Sequence, residues 1–242
     1  MMLRAPKVES RYWIALCFAS VLGANLGDVM SRELGLGYWR GLPVLAAAFA
    51  AVVLAARLAP GTTVWYWLAI VTVRSAATNL ADWQALTEDQ TPTLRFATVF
   101  PVIIFVWAVL LGSLALRSGR QTRSQLNSST DGWFWAAMLA AGTLGTAIGD
   151  WLAFISGLGL VGATVLTSAT LVAALVTLST KARGQAIAFW ILVLAIRTWG
   201  TNAGDLLADR AGLWPAFAVA VIGTTLLVII FDGPLKQNPG NL

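Results

Sequence analysis

The chain has 242 residues, of which 58% are hydrophobic and 11% charged, with a formal net charge of +5. Soluble domains carry about 25% charged residues, so this composition, with a mean hydropathy of +0.75, excludes a soluble domain and indicates an integral membrane protein. No histidine and a single cysteine, Cys17, exclude the usual zinc or haem ligands, a histidine-based triad and a disulfide framework.

Eight apolar stretches are each long enough to cross about 30 Å of hydrocarbon. They are 12–31, 41–58, 64–84, 95–115, 132–154, 160–180, 186–207 and 213–231. The first follows the basic residues Arg4, Lys7 and Arg11, as a signal peptide would. It lacks a clean small-residue cleavage site and carries a full copy of the repeat described below, so it is read as helix 1. The polar stretch 116–131 is read as a cytoplasmic linker between a first half, 1–115, and a second half, 132–242. Basic residues favour the terminus side (Arg4, Lys7, Arg11, Arg57, Arg117, Arg120, Arg123, Lys181, Arg183, Lys236) over the other (Arg32, Arg40, Arg95, Arg210). The positive-inside rule then predicts that both termini are cytoplasmic. Loop charge of this kind explains the basic balance without nucleic acid. Lys7, Lys181 and Lys236 lie outside the apolar runs, which excludes an intramembrane Schiff base. Cys17 reads as a small buried hydrophobe.

Four aspartates stand inside apolar helices, each fifteen residues after a tryptophan: Asp28 after Trp13, Asp82 after Trp67, Asp150 after Trp135 and Asp205 after Trp190. Asp28 to Asp150 spans 122 residues and Asp82 to Asp205 spans 123, as if a two-helix unit had been duplicated twice. The copies alternate in kind. The first and third share Gly35-Leu36-Gly37 and Gly157-Leu158-Gly159; the second and fourth share Arg74 and Arg197, and Thr78-Asn79 and Thr201-Asn202. Units of two spans all enter from one side and must be parallel repeats.

Five and one residues before each aspartate stand Gly23 and Gly27, Ala77 and Ala81, Gly145 and Gly149, Gly200 and Gly204. Such small-xxx-small stripes let helices approach closely in lipid. The expected fold is therefore all-α, eight transmembrane helices as four parallel helical hairpins with pseudo-twofold symmetry. Helices 1, 3, 5 and 7 cluster inside, helices 2, 4, 6 and 8 lie outside, and Asp, Asn and Thr turn inward. The aromatic residues that open the odd helices (Tyr12, Trp13, Trp65, Trp67, Trp133, Trp135) are expected in the cytoplasmic interfacial belt. The hydroxyls of helix 6 (Thr164, Thr167, Ser168, Thr170, Thr177) are expected to bond neighbouring helices, and Glu88 and Asp89 to form a solvated loop.

The Gly-Asp helix end followed by an L-G-L-G-type turn and a plain apolar helix resembles a family of bacterial membrane-anchored proteins defined by a repeat of unknown function. Its carriers are Gly27-Asp28 with Leu34-Gly35-Leu36-Gly37 and Gly149-Asp150 with Gly157-Leu158-Gly159-Leu160. Gly204-Asp205 with Gly212-Leu213 is a looser copy, and the second copy departs most, with Ala81 and Asp89 at these places. The resemblance covers about 12–231 and implies an architecture without an activity.

An ionised carboxylate in hydrocarbon costs about 2.5–3.5 kcal/mol or more, so four of them must be solvated, paired or protonated. As a transport route, Asp28, Asp82, Asp150 and Asp205 would bind a hard cation, a proton or a small charged solute. Asn25, Asn79 and Asn202 would contribute oxygens, and Arg74 and Arg197 would set the charge balance. The alternative is a structural or accessory membrane protein in which these Asp and Arg residues are interhelical cross-links. No nucleophile–base set, metal box or phosphate loop appears, so no enzymatic activity and no cofactor are expected. The expected partners are the lipid bilayer and a small ion or solute, with homo-oligomerisation left open.

Overall fold

The structure, a computed structural model, describes residues 3–85, 101–102, 104–113, 130–183 and 185–232. Among these the chain is helical, with no strand. The helices are α1 (Ser10–Asp28), α2 (Gly37–Leu58), α3 (Val64–Ala85), α4 (Ile104–Ser113), α5 (Gly132–Asp150), α6 (Gly159–Leu178), α7 (Ala186–Ala211) and α8 (Leu213–Asp232). Six are long and apolar enough to cross a membrane, counting the π-helical extensions of α1 to Glu33 and of α5 to Ile155. α3 matches them in length but is not one of the six. The expected solvated loop at Glu88 and Asp89 and most of the expected linker 116–131 lie outside the described residues.

Two layers are present. α1 packs on α3, α3 on α5, α5 on α7, and α7 back on α1, so the odd helices close a ring. Their spans α1, α5 and α7 are 72%, 61% and 61% buried, against 11%, 17% and 22% for α2, α6 and α8. The expected inner and outer sets are therefore the observed ones wherever they are described. Pairing differs from a simple hairpin, however. α2 lies along α3, α6 along α7, and α8 along α1 and α7. α2 and α6 thus cover the inner helix that follows them and touch the one before mainly at the connecting turn, whereas α8 closes the circle on α1 and also packs on α7.

Small residues set the ring contacts, always in the same register. A Cβ on Gly23 would lie 2.5 Å from Arg74 Cβ, and one on Gly145 would lie 2.6 Å from Arg197 Cβ. One on Gly142 would lie 2.6 Å from Ala77 Cβ, and one on Gly200 would collide with Ser20 Oγ. In each case the residue five before the aspartate of one helix meets the residue eight before the aspartate of the next. A second tier lies one turn nearer the aspartates, where Gly27 faces Thr78 and Asn79, Gly149 faces Thr201 and Asn202, and Gly204 faces Asn25. Without hydrophobic drive in lipid, such close backbone approach and its van der Waals contact are what hold helices together.

The ring interior follows every fourth residue. Counting back from the aspartates it holds Ala24, Thr78, Thr146 and Thr201; then Ser20, Arg74, Gly142 and Arg197; then Leu16, Ile70, Met138 and Val193, all fully buried. Next come Tyr12, Tyr66, Phe134 and Phe189. An i±4 row is inclined about 26° to the helix axis, so it faces the bundle axis only when helices cross rather than run straight.

The aromatic residues depart from the expected belt. Tyr12, Trp13, Tyr66, Trp67, Phe189 and Trp190 are buried, and each ring of the inner row stacks on the tryptophan of the next helix. Tyr12 lies 5.7 Å from Trp67, Tyr66 5.8 Å from Trp135, Phe134 5.9 Å from Trp190 and Phe189 5.5 Å from Trp13. This pinwheel plugs the ring at the ends where the odd helices begin. Of the six expected there, Trp133 is exposed and Trp65 and Trp135 are half-buried, Trp135 packing on Tyr66 and Phe49.

Candidate functional site

At the opposite end the ring opens into a vestibule of about 780 Å³, and all four aspartates line it. One turn deeper the wall is Ala24, Thr78, Thr146 and Thr201. Arg32, Glu33 and Asp209 also line it, and the side chains of Arg32 and Asp209 are more than half exposed. Six carboxylates thus surround this space with the single guanidinium of Arg32. Arg32 Nη2 lies 3.5 Å from Asp28 Oδ1, one helical turn apart, too long for a strong charged hydrogen bond. Asp28 is 5% exposed, and its Oδ1 has no hydrogen-bond partner. Among the described residues, no three acidic or thiol groups converge closely enough to hold a bare metal ion.

Arg74 forms the floor. It is fully buried, and it donates from Nη1 to Thr78 Oγ1 at 2.8 Å and to Thr146 Oγ1 at 2.7 Å, and from Nη2 to Thr201 Oγ1 at 2.7 Å. Its Nε reaches Ser20 Oγ at 3.4 Å. One guanidinium therefore joins all four ring helices through neutral oxygens. Among the described residues it makes no ion pair with any aspartate.

Arg197 occupies the same register on α7 but runs the other way. Its Nη2 lies 3.7 Å from Met138 Sδ, while Nε and Nη1 have no partner. The sequence breaks the tie. Turned towards the aspartates, Arg197 would meet Ala24 on the next helix, where Arg74 meets the hydroxyl of Thr146. Two residues of one kind in sequence thus do different work: Arg74 floors the vestibule and Arg197 lies beneath it.

Asn25, Asn79 and Asn202 are not among the residues lining the vestibule. They sit in the seams between ring helices, against Gly204, Gly27 and Gly149 respectively. Asn79 also touches Gly41 of α2, and Asn202 Nδ2 lies 3.5 Å from Thr167 Oγ1 of α6. The reason is angular. At about 100° per residue the position four before the aspartate lies about 40° to one side of it and the position three before lies about 60° to the other. Both cannot face one axis, and the threonines do. The hydroxyls of α6 divide similarly. Thr164 bonds the Asn202 carbonyl at 3.1 Å and Ser168 accepts from Trp199 Nε1 at 3.0 Å, whereas Thr170 and Thr177 bond carbonyls of their own helix.

One feature had only an indirect signal. Directly after Asp28 and Asp150 the helices widen into π-helical turns, Val29–Glu33 and Trp151–Ile155. They end at Gly35, Gly37, Gly157 and Gly159, whose φ angles of 65° to 80° favour glycine. α3 and α7 instead continue as α-helix past Asp82 and Asp205. The shared Gly-Leu-Gly turns marked this alternation, but nothing in the composition of 29–33 and 151–155 signals the wider turn. Such π turns are rare and concentrate at functional sites.

Comparison with curated proteins and with solved structures finds no match. A family described as a Repeat of Unknown Function (DUF347) matches residues 11–62 and 133–183. These stretches are the first and third copies, each running from an odd helix through its π turn and glycine turn into the following outer helix. The chain is a helical membrane protein, two stretches of which match this repeat of unknown function.

Proposed function

We propose that the protein is a small integral membrane transporter or permease that takes a cationic solute into the acidic vestibule. The observation that carries the reading is the convergence of Asp28, Asp82, Asp150 and Asp205, from four different helices, on one cavity. A volume of this size lies within the range of small-molecule pockets, and carboxylates spread around its wall suit a hydrated or organic cation better than a bare ion in a cage. A carried proton fits the same groups. Against the cross-link alternative stands the pairing of Arg74, which spends its donors on threonines rather than on the aspartates.

The proposed topology has eight spans, α3 and the region of α4 joining the six apolar helices, with both termini cytoplasmic in a bacterial inner membrane. The aromatic pinwheel is then the closed gate on the cytoplasmic side, and the vestibule faces outward. The chemistry is binding and passage, not bond making, since the wall is built of Asp, Thr and Arg without a nucleophile–base pair. To test it, each aspartate is replaced singly by Asn, and folded yield and cation or proton flux are measured in proteoliposomes. The reading expects near-normal yield with reduced flux. Lost yield in all four variants would favour the cross-link account.

A further inference from the structure

Arg74 and Arg197 stand at the same level of the ring and within electrostatic reach of each other. Both are fully buried, and among the described residues neither has a carboxylate at ion-pair distance. Arg74 has its hydroxyl partners. Arg197 does not: of its five N–H donors, those on Nε and Nη1 have no acceptor. Charged side chains inside membranes almost always find a partner or water, and glycine contacts at Gly23 and Gly145 close the helices around this level.

A further donor is near. Tyr12 and Tyr66 lie within electrostatic reach of Arg197, and their hydroxyls bond each other at 2.7 Å. One hydroxyl must donate and the other accept, so one O–H of the pair remains uncommitted among the described residues. Of the groups within electrostatic reach of Arg197, Arg74 is a cation and Tyr12, Tyr66 and Cys17 are weak acids, so none is a carboxylate.

We propose that Arg197 holds a small monovalent anion, a halide such as chloride, in the core between the arginine level and the aromatic plug. The anion accepts from Nε and Nη1 of Arg197 and from the free phenolic O–H. It compensates the two like charges, and it leaves Arg74 directed to the threonines. A compact halide suits a level lined by the buried side chains of Leu16, Ile70, Met138 and Val193 better than a polyatomic oxyanion with its own hydration does. This site is distinct from the vestibule and does not depend on what the vestibule binds.

The test uses the full chain in detergent. Thermal unfolding is followed in chloride, bromide and gluconate at equal ionic strength, with wild type and Arg197→Met. A bound anion raises the midpoint in a saturable way, so wild type should melt higher in chloride and bromide than in gluconate, and Arg197→Met should show no such difference. Bromide-soaked wild-type crystals should give an anomalous peak beside Arg197, which decides the matter even if the variant fails to fold. The proposal is overturned by equal midpoints in all three salts, by a halide effect that survives Arg197→Met, or by the absence of a bromide peak at Arg197.

Discussion

Arg74 shows how a single side chain can organise the centre of a membrane bundle. Hydrogen bonds from charged donors contribute about 1.5–3 kcal/mol each; of its three shortest bonds two cross to α5 and α7 and one returns to α3. Thr146→Val should therefore lower unfolding stability by about 1.5–3 kcal/mol, read by denaturant titration in detergent, whereas Thr170→Val on the exposed face of α6 should change it little. Gly23→Val tests the close contact from the other side. Its Cβ would press on Arg74 Cβ, and overpacking of this kind costs about 1–3 kcal/mol. At this scale the aspartates, the small residues and the threonines were legible from spacing alone. The asparagines and the orientation of the arginines were not. Their placement depends on which i−4 row faces the axis, and on Ala24 standing where the other copies have threonine.

At the scale of elements, the odd helices show two faces of one sequence pattern. Their aromatic starts looked like interface anchors, because tryptophans near the ends of spans usually are. The doublets Tyr12-Trp13, Tyr66-Trp67, Phe134-Trp135 and Phe189-Trp190 carry the correcting signal, since an aromatic pair at one address in all four helices can interlock around an axis. Trp13→Ala should then cost about 3–5 kcal/mol, as large core truncations do, and Trp133→Ala, at a residue 46% exposed, should cost less; thermal unfolding of the two variants separates a plug from a belt. The outer helices follow the plain rule. Largely apolar and mostly unburied, they read as lipid-facing from composition, but composition does not say that α2 and α6 cover the next inner helix rather than their own.

For the whole molecule, a ring closed at one end by aromatic rings and open at the other onto carboxylates is the arrangement of a one-sided vestibule. The partition into inner and outer helices was legible because acids and small residues share one address in every odd helix, acids being costly against lipid and small residues letting helices approach closely. If the topology is as proposed, a reporter fused to the C-terminus should be active in the cytoplasm and inactive outside. The most direct measurement of the central claim is flux of cations or protons into proteoliposomes holding wild type or the four Asp→Asn variants, at matched folded protein. The account predicts a flux in wild type that falls at least tenfold, about 1.4 kcal/mol in barrier, when an aspartate of the vestibule is neutralised. Equal flux in wild type and all four variants, with folding intact, would contradict it.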